Sequence, residues 1–193
     1  EDELAQVAQL AQANSVLVIS DDIHADFTAD GHQYTPIAKV APQLWDAGLL
    51  LACSSPGKTF AMAGLEAAVV LATPELREAL GEEKRRLGLH NPNFFAIPAA
   101  IAAWTEGADW AQSLREQVNA NLELCRETLL AELPALRIAE TEGTFLQWVD
   151  ASAYLTGPAD IERIQEDSRV LITPGEDFGP GYETYFRINA ATP

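Results

Sequence analysis

"LLLACSSPGKTF", residues 49–60, sets an apolar run directly against a turn of small and hydroxylated residues that carries a lysine. The run "LLLAC" (49–53) is too short for a helix and reads as a buried strand. "VLVIS" (16–20), rich in β-branched residues, and "AAVVLA" (67–72) have the same character. Continuous apolar runs, in place of alternating ones, are what parallel strands buried on both faces require. Residues 1 to about 75 therefore predict part of an α/β layer whose sheet is covered by helices. Lys58 stands at the mouth of the middle strand, among Ser54, Ser55, Gly57 and Thr59, in a chain with only 12 Lys and Arg. It fits a solvated lysine in a turn, or a lysine placed for chemistry.

Composition narrows the classes. The 193 residues suffice for one large domain or two small ones, and 48% hydrophobic with 21% charged residues is ordinary for a globular protein. No stretch approaches the roughly 20 consecutive apolar residues that span a bilayer, and no basic leader precedes an apolar segment. Cys53 and Cys125 lie far apart in unrelated contexts, which reads as two reduced thiols in a cytoplasmic protein. The net charge of -17 speaks against nucleic acid, since a polyphosphate needs a basic face. The opening "EDELAQVAQLAQAN" has helical style, with Leu4, Val7, Ala8 and Ala11 on one face and Asn14 as C-terminal cap. Nothing caps its start, so the chain reads as cut from something longer.

The later segments change style. Thr73-Pro74-Glu75 is a helix start, "GEEKRRLGLHNPN" (81–93) a polar connection, and Asp109 to Leu133 a long helix. Leu114, Val118, Leu122, Cys125, Leu129 and Leu133 recur there at helical spacing, and Pro134 ends it. "TFLQWVD" (144–150), "RVLI" (169–172) and "TYFRIN" (184–189) alternate, with a helix expected near 158–167. This predicts a small α+β domain whose sheet is solvated on one side. The expected division is 1–90 and 91–193, with the boundary inside about 75–110 and the long helix as a bridge.

Two strands end in functional groups. "VLVIS" delivers Asp21, Asp22 and His24; "LLLAC" delivers the Ser/Gly turn and Lys58. Asp21-Asp22 alone also fits a turn or a cap, and His24 alone a structural hydrogen-bonder. If the strands are neighbours, these groups converge outside the carboxyl ends of the sheet, where ligands of open α/β sheets bind. In "TYFRIN", Tyr185, Arg187 and Asn189 point one way and Phe186 and Ile188 the other. Arg187 then faces away from the core, either as a surface ion pair or as a bidentate clamp for a carboxylate.

"SDDIHADF", "SSPGKTFAMAGLE", "EGTFLQW", "PGEDFG" and "FRINAATP", in that order along the whole chain, resemble the aspartate-aminotransferase superfamily of pyridoxal-phosphate (PLP) enzymes. The likeness is greatest to its cystathionine β-lyase-like C–S lyase branch. The resemblance implies the C-terminal half of such a protein: an α/β chain with part of a mostly parallel-sheet, PLP-binding large domain and a small α+β domain. It implies Lys58 as the amine that carries PLP and moves the substrate's Cα proton, and Asp21 as partner of the pyridine nitrogen. His24 would lie at the phenolic oxygen, Ser54 or Ser55 at the phosphate, and Arg187 at the substrate carboxylate. A small amino-acid substrate and a homodimer are implied; a metal is not.

Several positions depart from the branch. Gly57 stands where Ser commonly precedes the lysine, Ala61 replaces a frequent Asn, and Asp22 replaces Glu. Eight residues after the lysine, where aspartate aminotransferases carry an Arg, this chain has Glu66, which favours the lyase branch. The alternatives are an aminotransferase, which shares the lysine, aspartate and arginine, and a non-catalytic sensor or interaction module on the same fold. The glycine-rich phosphate loop and the ring-stacking aromatic expected of the family's first half are not in this sequence, so the chain by itself is expected to hold PLP poorly and to be inactive.

Overall fold

In the computed structural model, which describes residues 1–192, the three apolar runs become three short strands of one sheet. Helix α1 (Asp2–Ala13) leads into β1 (Val18–Asp21). The short helices α2 (Ile37–Val40) and α3 (Pro42–Asp46) precede β2 (Leu50–Ser54), and β3 (Val69–Leu71) follows. The order is β1-β2-β3. β1 and β2 run parallel and in register, Val18 opposite Leu50 and Asp21 opposite Cys53. Small residues on α1 let it lie close: Ala8 and Ala11 bury against Ile37, Ala41, Leu44 and Leu50, with Leu4, Val18 and Leu49 around them. Leu44 and Leu50 are fully buried, each worth about 1.5–3 kcal/mol in transfer from water.

Several expectations fail here. β3 runs antiparallel to β2, so the sheet is mixed. Burial on both faces is confined to the start of β2, where the consecutive Leu50 and Leu51 are both buried; Ile19 is 64% exposed, and Val69, Val70 and Leu71 are all exposed. On α1, Val7 turns outward beside Leu10. The polar stretch from 81 is not all connection, since α4 (Pro74–Arg86) runs through its first half, with Lys84, Arg85 and Arg86 favourably placed at its carboxyl end. Thr73 precedes that helix without capping it; its hydroxyl is buried and has no partner among the described residues. Helix α5 (Ala96–Glu106), short of charged residues and rich in alanine, was not anticipated.

The chain divides into two compact units, residues 1–26 with 33–112, and residues 27–32 with those from 113 onward. The division falls within α6 (Ala108–Glu132), later than the sequence suggests. Two local reasons account for it. Trp110 at the start of α6 donates its indole N–H to the Thr59 carbonyl, which ties 107–112 to the first unit. Phe27 packs with Val118, Leu122 and Phe145, and Thr28 bridges Gly143, which ties 27–32 to the second.

The second unit carries an antiparallel sheet of order β4-β5-β7-β6, made of β4 (Arg137–Ile138), β5 (Leu146–Asp150), β6 (Thr173–Pro174) and β7 (Tyr185–Asn189). Helix α7 (Pro158–Ser168) joins β5 to β6. Val149 and Phe186 pack on Leu129 and Leu130 of α6 and Ile161 of α7, so the expected α+β unit with one helix-covered face is present. "RVLI" is not a strand: Arg169 takes a left-handed backbone (φ 56°) that closes α7, Val170 and Leu171 are exposed, and pairing starts only at Thr173. Among the described residues no helix is long and apolar enough to cross a membrane.

Asp150, at the end of β5, is buried and accepts the Ser152 N–H at 2.9 Å, with Arg137 at 3.9 Å. Burial opposes its charge, but the Ser152 and Tyr185 bonds and Arg137 outweigh that and hold its carboxyl below the ordinary range. A carboxyl depressed by folding stabilises above its unfolded value and loses that contribution as pH falls through the folded value. Asp150→Asn should therefore lower the urea midpoint at about pH 7 by more than it does near pH 3. A deficit of equal size at both pH values would reject the charge as its cause.

Candidate active site

The register of β1 on β2 brings Asp21 and the lysine turn to one edge of the sheet. Asp21 ends β1 opposite Cys53, and the backbone N–H of the next residue, Asp22, donates to the Cys53 carbonyl at 2.8 Å. β2 ends one residue later at Ser54, and the turn 56–60 presents Lys58. The strands that carry Asp21, His24, Ser54, Ser55 and Lys58 are thus neighbours, and these residues follow their carboxyl ends. Parallel pairing makes this unavoidable, because both chains leave the sheet on the same side.

The two aspartates play different parts. Asp22 accepts from the Ser20 hydroxyl at 2.6 Å and from the Tyr34 hydroxyl, whose own proton is held more tightly by burial and by that carboxylate. Asp21 accepts only the Ile23 N–H, at 3.3 Å, and has no cation within ion-pair distance among the described residues. The carboxylate available to a ligand is Asp21. His24 lies half-buried in the turn 23–26.

The hydroxyls divide likewise. Ser55 donates to the Ala67 carbonyl at 2.6 Å and accepts the Gly57 N–H at 3.0 Å, so its proton is committed to the loop. A Cβ at Gly57 would lie 3.1 Å from that hydroxyl, a tight contact that the Ser55 side chain would have to relieve. Ser54 makes no side-chain bond among the described residues and remains free to donate. Lys58 is exposed. Ala61, where Asn is frequent in the branch, adopts a left-handed backbone (φ 52°), a conformation that Asn tolerates better than Ala.

Arg187 belongs to the second unit, on β7 opposite Trp148 and Thr173. As its alternation requires, Phe186 is buried while Tyr185 and Arg187 share the other face. Its guanidinium carbon lies 4.9 Å from the centroid of the Phe178 ring, and Nη2 reaches the Thr173 hydroxyl at 3.5 Å. No carboxylate pairs with it among the described residues, which removes the surface-ion-pair reading. Trp148, Phe178, Tyr182 and Tyr185 stack and abut at 5.1–5.6 Å around this face. Sequence reasoning missed that cluster, although the alternation in "TFLQWVD" puts Trp148 on the face opposite Val149. It also missed Asp26, whose carboxylate accepts the Thr59 hydroxyl at 2.6 Å.

Together the first-unit groups offer a carboxylate for a protonated ring nitrogen, a primary amine for a carbonyl carbon and a hydroxyl for a phosphate. The second unit offers an unpaired guanidinium for a carboxylate. The family described as aminotransferase class I and II matches residues 1–193. The chain is 32% identical to cystathionine beta-lyase PatB of Bacillus subtilis, over 98% of this chain and 49% of PatB. It is 31% identical to protein MalY of Escherichia coli, over 100% of this chain and 49% of MalY. The structure of a PLP-bound C–S lyase from Staphylococcus hominis superposes with a TM-score of 0.86 at 28% identity, over the whole chain and 49% of that protein. The chain spans about half the length of the curated relatives it matches.

Cys53 reports on the carboxylates beside it. Burial first, then the charges of Asp21 and Asp22, push its thiol up. Asp21→Asn should lower that value and speed iodoacetamide alkylation of Cys53 about two- to threefold at mildly alkaline pH. An unchanged rate would place the Asp21 charge elsewhere.

Proposed function

We propose, since this chain belongs to the aminotransferase class I and II family, that it is the C-terminal half of a PLP-dependent carbon–sulfur β-lyase. The supporting observation is that Asp21 and Lys58 follow the carboxyl ends of adjacent, in-register parallel strands, and that neither has an ion-pair partner among the described residues. Residues 1–90 would belong to the cofactor-binding large domain, and residues 91–193 would supply the linking helix and small domain.

The donor set fits PLP. Asp21 would keep a proton on the pyridine nitrogen, Lys58 would carry the cofactor through its amine, and His24 would serve the phenolic oxygen. Ser54 donates to the phosphate, with Ser55 setting the loop; this favours Ser54 over Ser55, whose proton is spent on Ala67. When bound, PLP supplies a sink for the electrons left on the substrate's α-carbon. Lys58 is the base that takes the Cα proton, and its long stem on a fixed backbone lets the amine move between roles. Arg187 clamps the substrate carboxylate, steadied by the Phe178 face and the Thr173 hydroxyl. Net, a cystathionine-like or cysteine-conjugate substrate and water give a thiol, pyruvate and ammonia. The whole protein would be a cytoplasmic homodimer.

The similarity to PatB and Glu66 after the lysine favour the lyase over an aminotransferase. Full-length protein given cystathionine should release pyruvate, and Lys58→Ala should abolish release with the fold intact. Stoichiometric pyridoxamine phosphate without pyruvate would instead indicate the aminotransferase. Absence of a borohydride-reducible group on Lys58 would leave only the non-catalytic reading.

Arg187→Ala should raise KM for the amino-acid substrate by about 2–4 kcal/mol in binding, with a smaller change in kcat. Unaltered kinetics would sink the clamp.

A further inference from the structure

Two loops leave adjacent strands in the first unit, 22–26 after β1 and 55–59 after β2, and they are joined at both ends. At the base, the Asp22 N–H donates to the Cys53 carbonyl at 2.8 Å. At the far end, the Thr59 hydroxyl donates to Asp26 Oδ2 at 2.6 Å. We propose that this second bond is a brace that sets Lys58 against Asp21, making Asp26 and Thr59 positioning residues for the cofactor-carrying amine. The inference rests on the reading of Lys58 given above.

Thr59 is 1% exposed, so water does not compete for its proton, and an O–H donated to a carboxylate belongs to the strong class of hydrogen bonds. Its other groups are anchored as well. The Thr59 carbonyl accepts the Trp110 indole N–H at 3.1 Å, and the Phe60 N–H donates to the Pro56 carbonyl at 2.9 Å. The Phe60 ring lies over Gly107, where any Cβ would collide with the ring and with the Ala103 carbonyl. Lys58 sits between the committed Ser55–Gly57 turn and these anchors, yet its own side chain is exposed and makes no ion pair among the described residues. The result is a fixed backbone carrying a mobile amine. Asp26 likewise pairs with no cation among the described residues, so its carboxylate serves Thr59. With the brace removed, the loops are tied only at their base, and Lys58 can drift by the ångström that costs orders of magnitude in rate.

The test uses full-length protein with PLP and four variants. Thr59→Val and Asp26→Ala remove the donor and the acceptor; Thr59→Ser and Asp26→Asn keep one of each. The brace predicts that the first pair lowers kcat about tenfold or more with KM within about twofold. The same pair should slow recovery of the cofactor's visible absorbance when PLP is returned to the apoprotein, and speed deuterium exchange of the amides at 58–60. The second pair should stay near wild type in all three. Wild-type behaviour of Thr59→Val and Asp26→Ala overturns the brace, as does an equal loss in all four variants, which would assign the effect to packing or charge. Should Thr59→Val not fold, the Asp26 pair decides alone. Borohydride labelling of the wild type separates the two levels: an unlabelled Lys58 overturns the functional reading and this role with it, while a labelled Lys58 with unaltered variants overturns the brace only.

Discussion

The pairing of β1 with β2 governs the first unit. It is parallel and in register from Val18 opposite Leu50 to Asp21 opposite Cys53, and the Asp22 N–H extends it one bond beyond the strand. Had the strands run antiparallel, the residues after β1 and those after β2 would leave the sheet at opposite edges. A slip of one residue would turn every side chain of one strand to the other face. The register is held by packing: Leu50 is fully buried against α1, α2 and α3 with Val18 beside it, and a slip would expose Leu50. The helices that pack on this sheet thus help to bring the segments that carry a carboxylate and an amine to the same edge.

Around that edge, most polar groups are spent on structure and a few are left over. Asp22 is occupied by Ser20 and Tyr34, Ser55 by Ala67 and Gly57, and Asp26 by Thr59. Asp21, Ser54 and Lys58 are the remainder. The same division holds in the second unit. There Tyr185 bonds to Asp150, while Arg187, on the same strand and face, meets only an aromatic ring and a hydroxyl at 3.5 Å. The apolar strand residues Ile19 and Val69–Leu71 are exposed, in a chain that spans about half the length of the curated relatives it matches.

Much of this was legible in order along the chain. The apolar runs located β1, β2 and β3 to within two residues, heptad-like spacing located α6, and alternation assigned Arg187 and Phe186 to opposite faces. The failures have physical causes. A short apolar run such as 67–72 does not encode the direction of its partner, so the parallel expectation fails at β3. "RVLI" has strand composition, but its first residue closes a helix in a left-handed conformation that composition does not reveal. α5 lacks polar alternation, and α4 continues through a glycine that reads as punctuation.

The amino-acid order by itself located the strands and the candidate groups that stand at their ends, because period and run length are local properties of a chain. Residue type alone does not separate Asp21 from Asp22, or Ser54 from Ser55, and only the family resemblance singles out Asp21. Tertiary structure shows which of each pair is spent on the fold, through Ser20 and Tyr34 reaching Asp22 and Ala67 reaching Ser55. The amino-acid order also could not pair Asp26 with Thr59, which lie on different loops and meet only once two strands have aligned. Which groups are left free is a property of every other group's partner, and partners are assigned by packing.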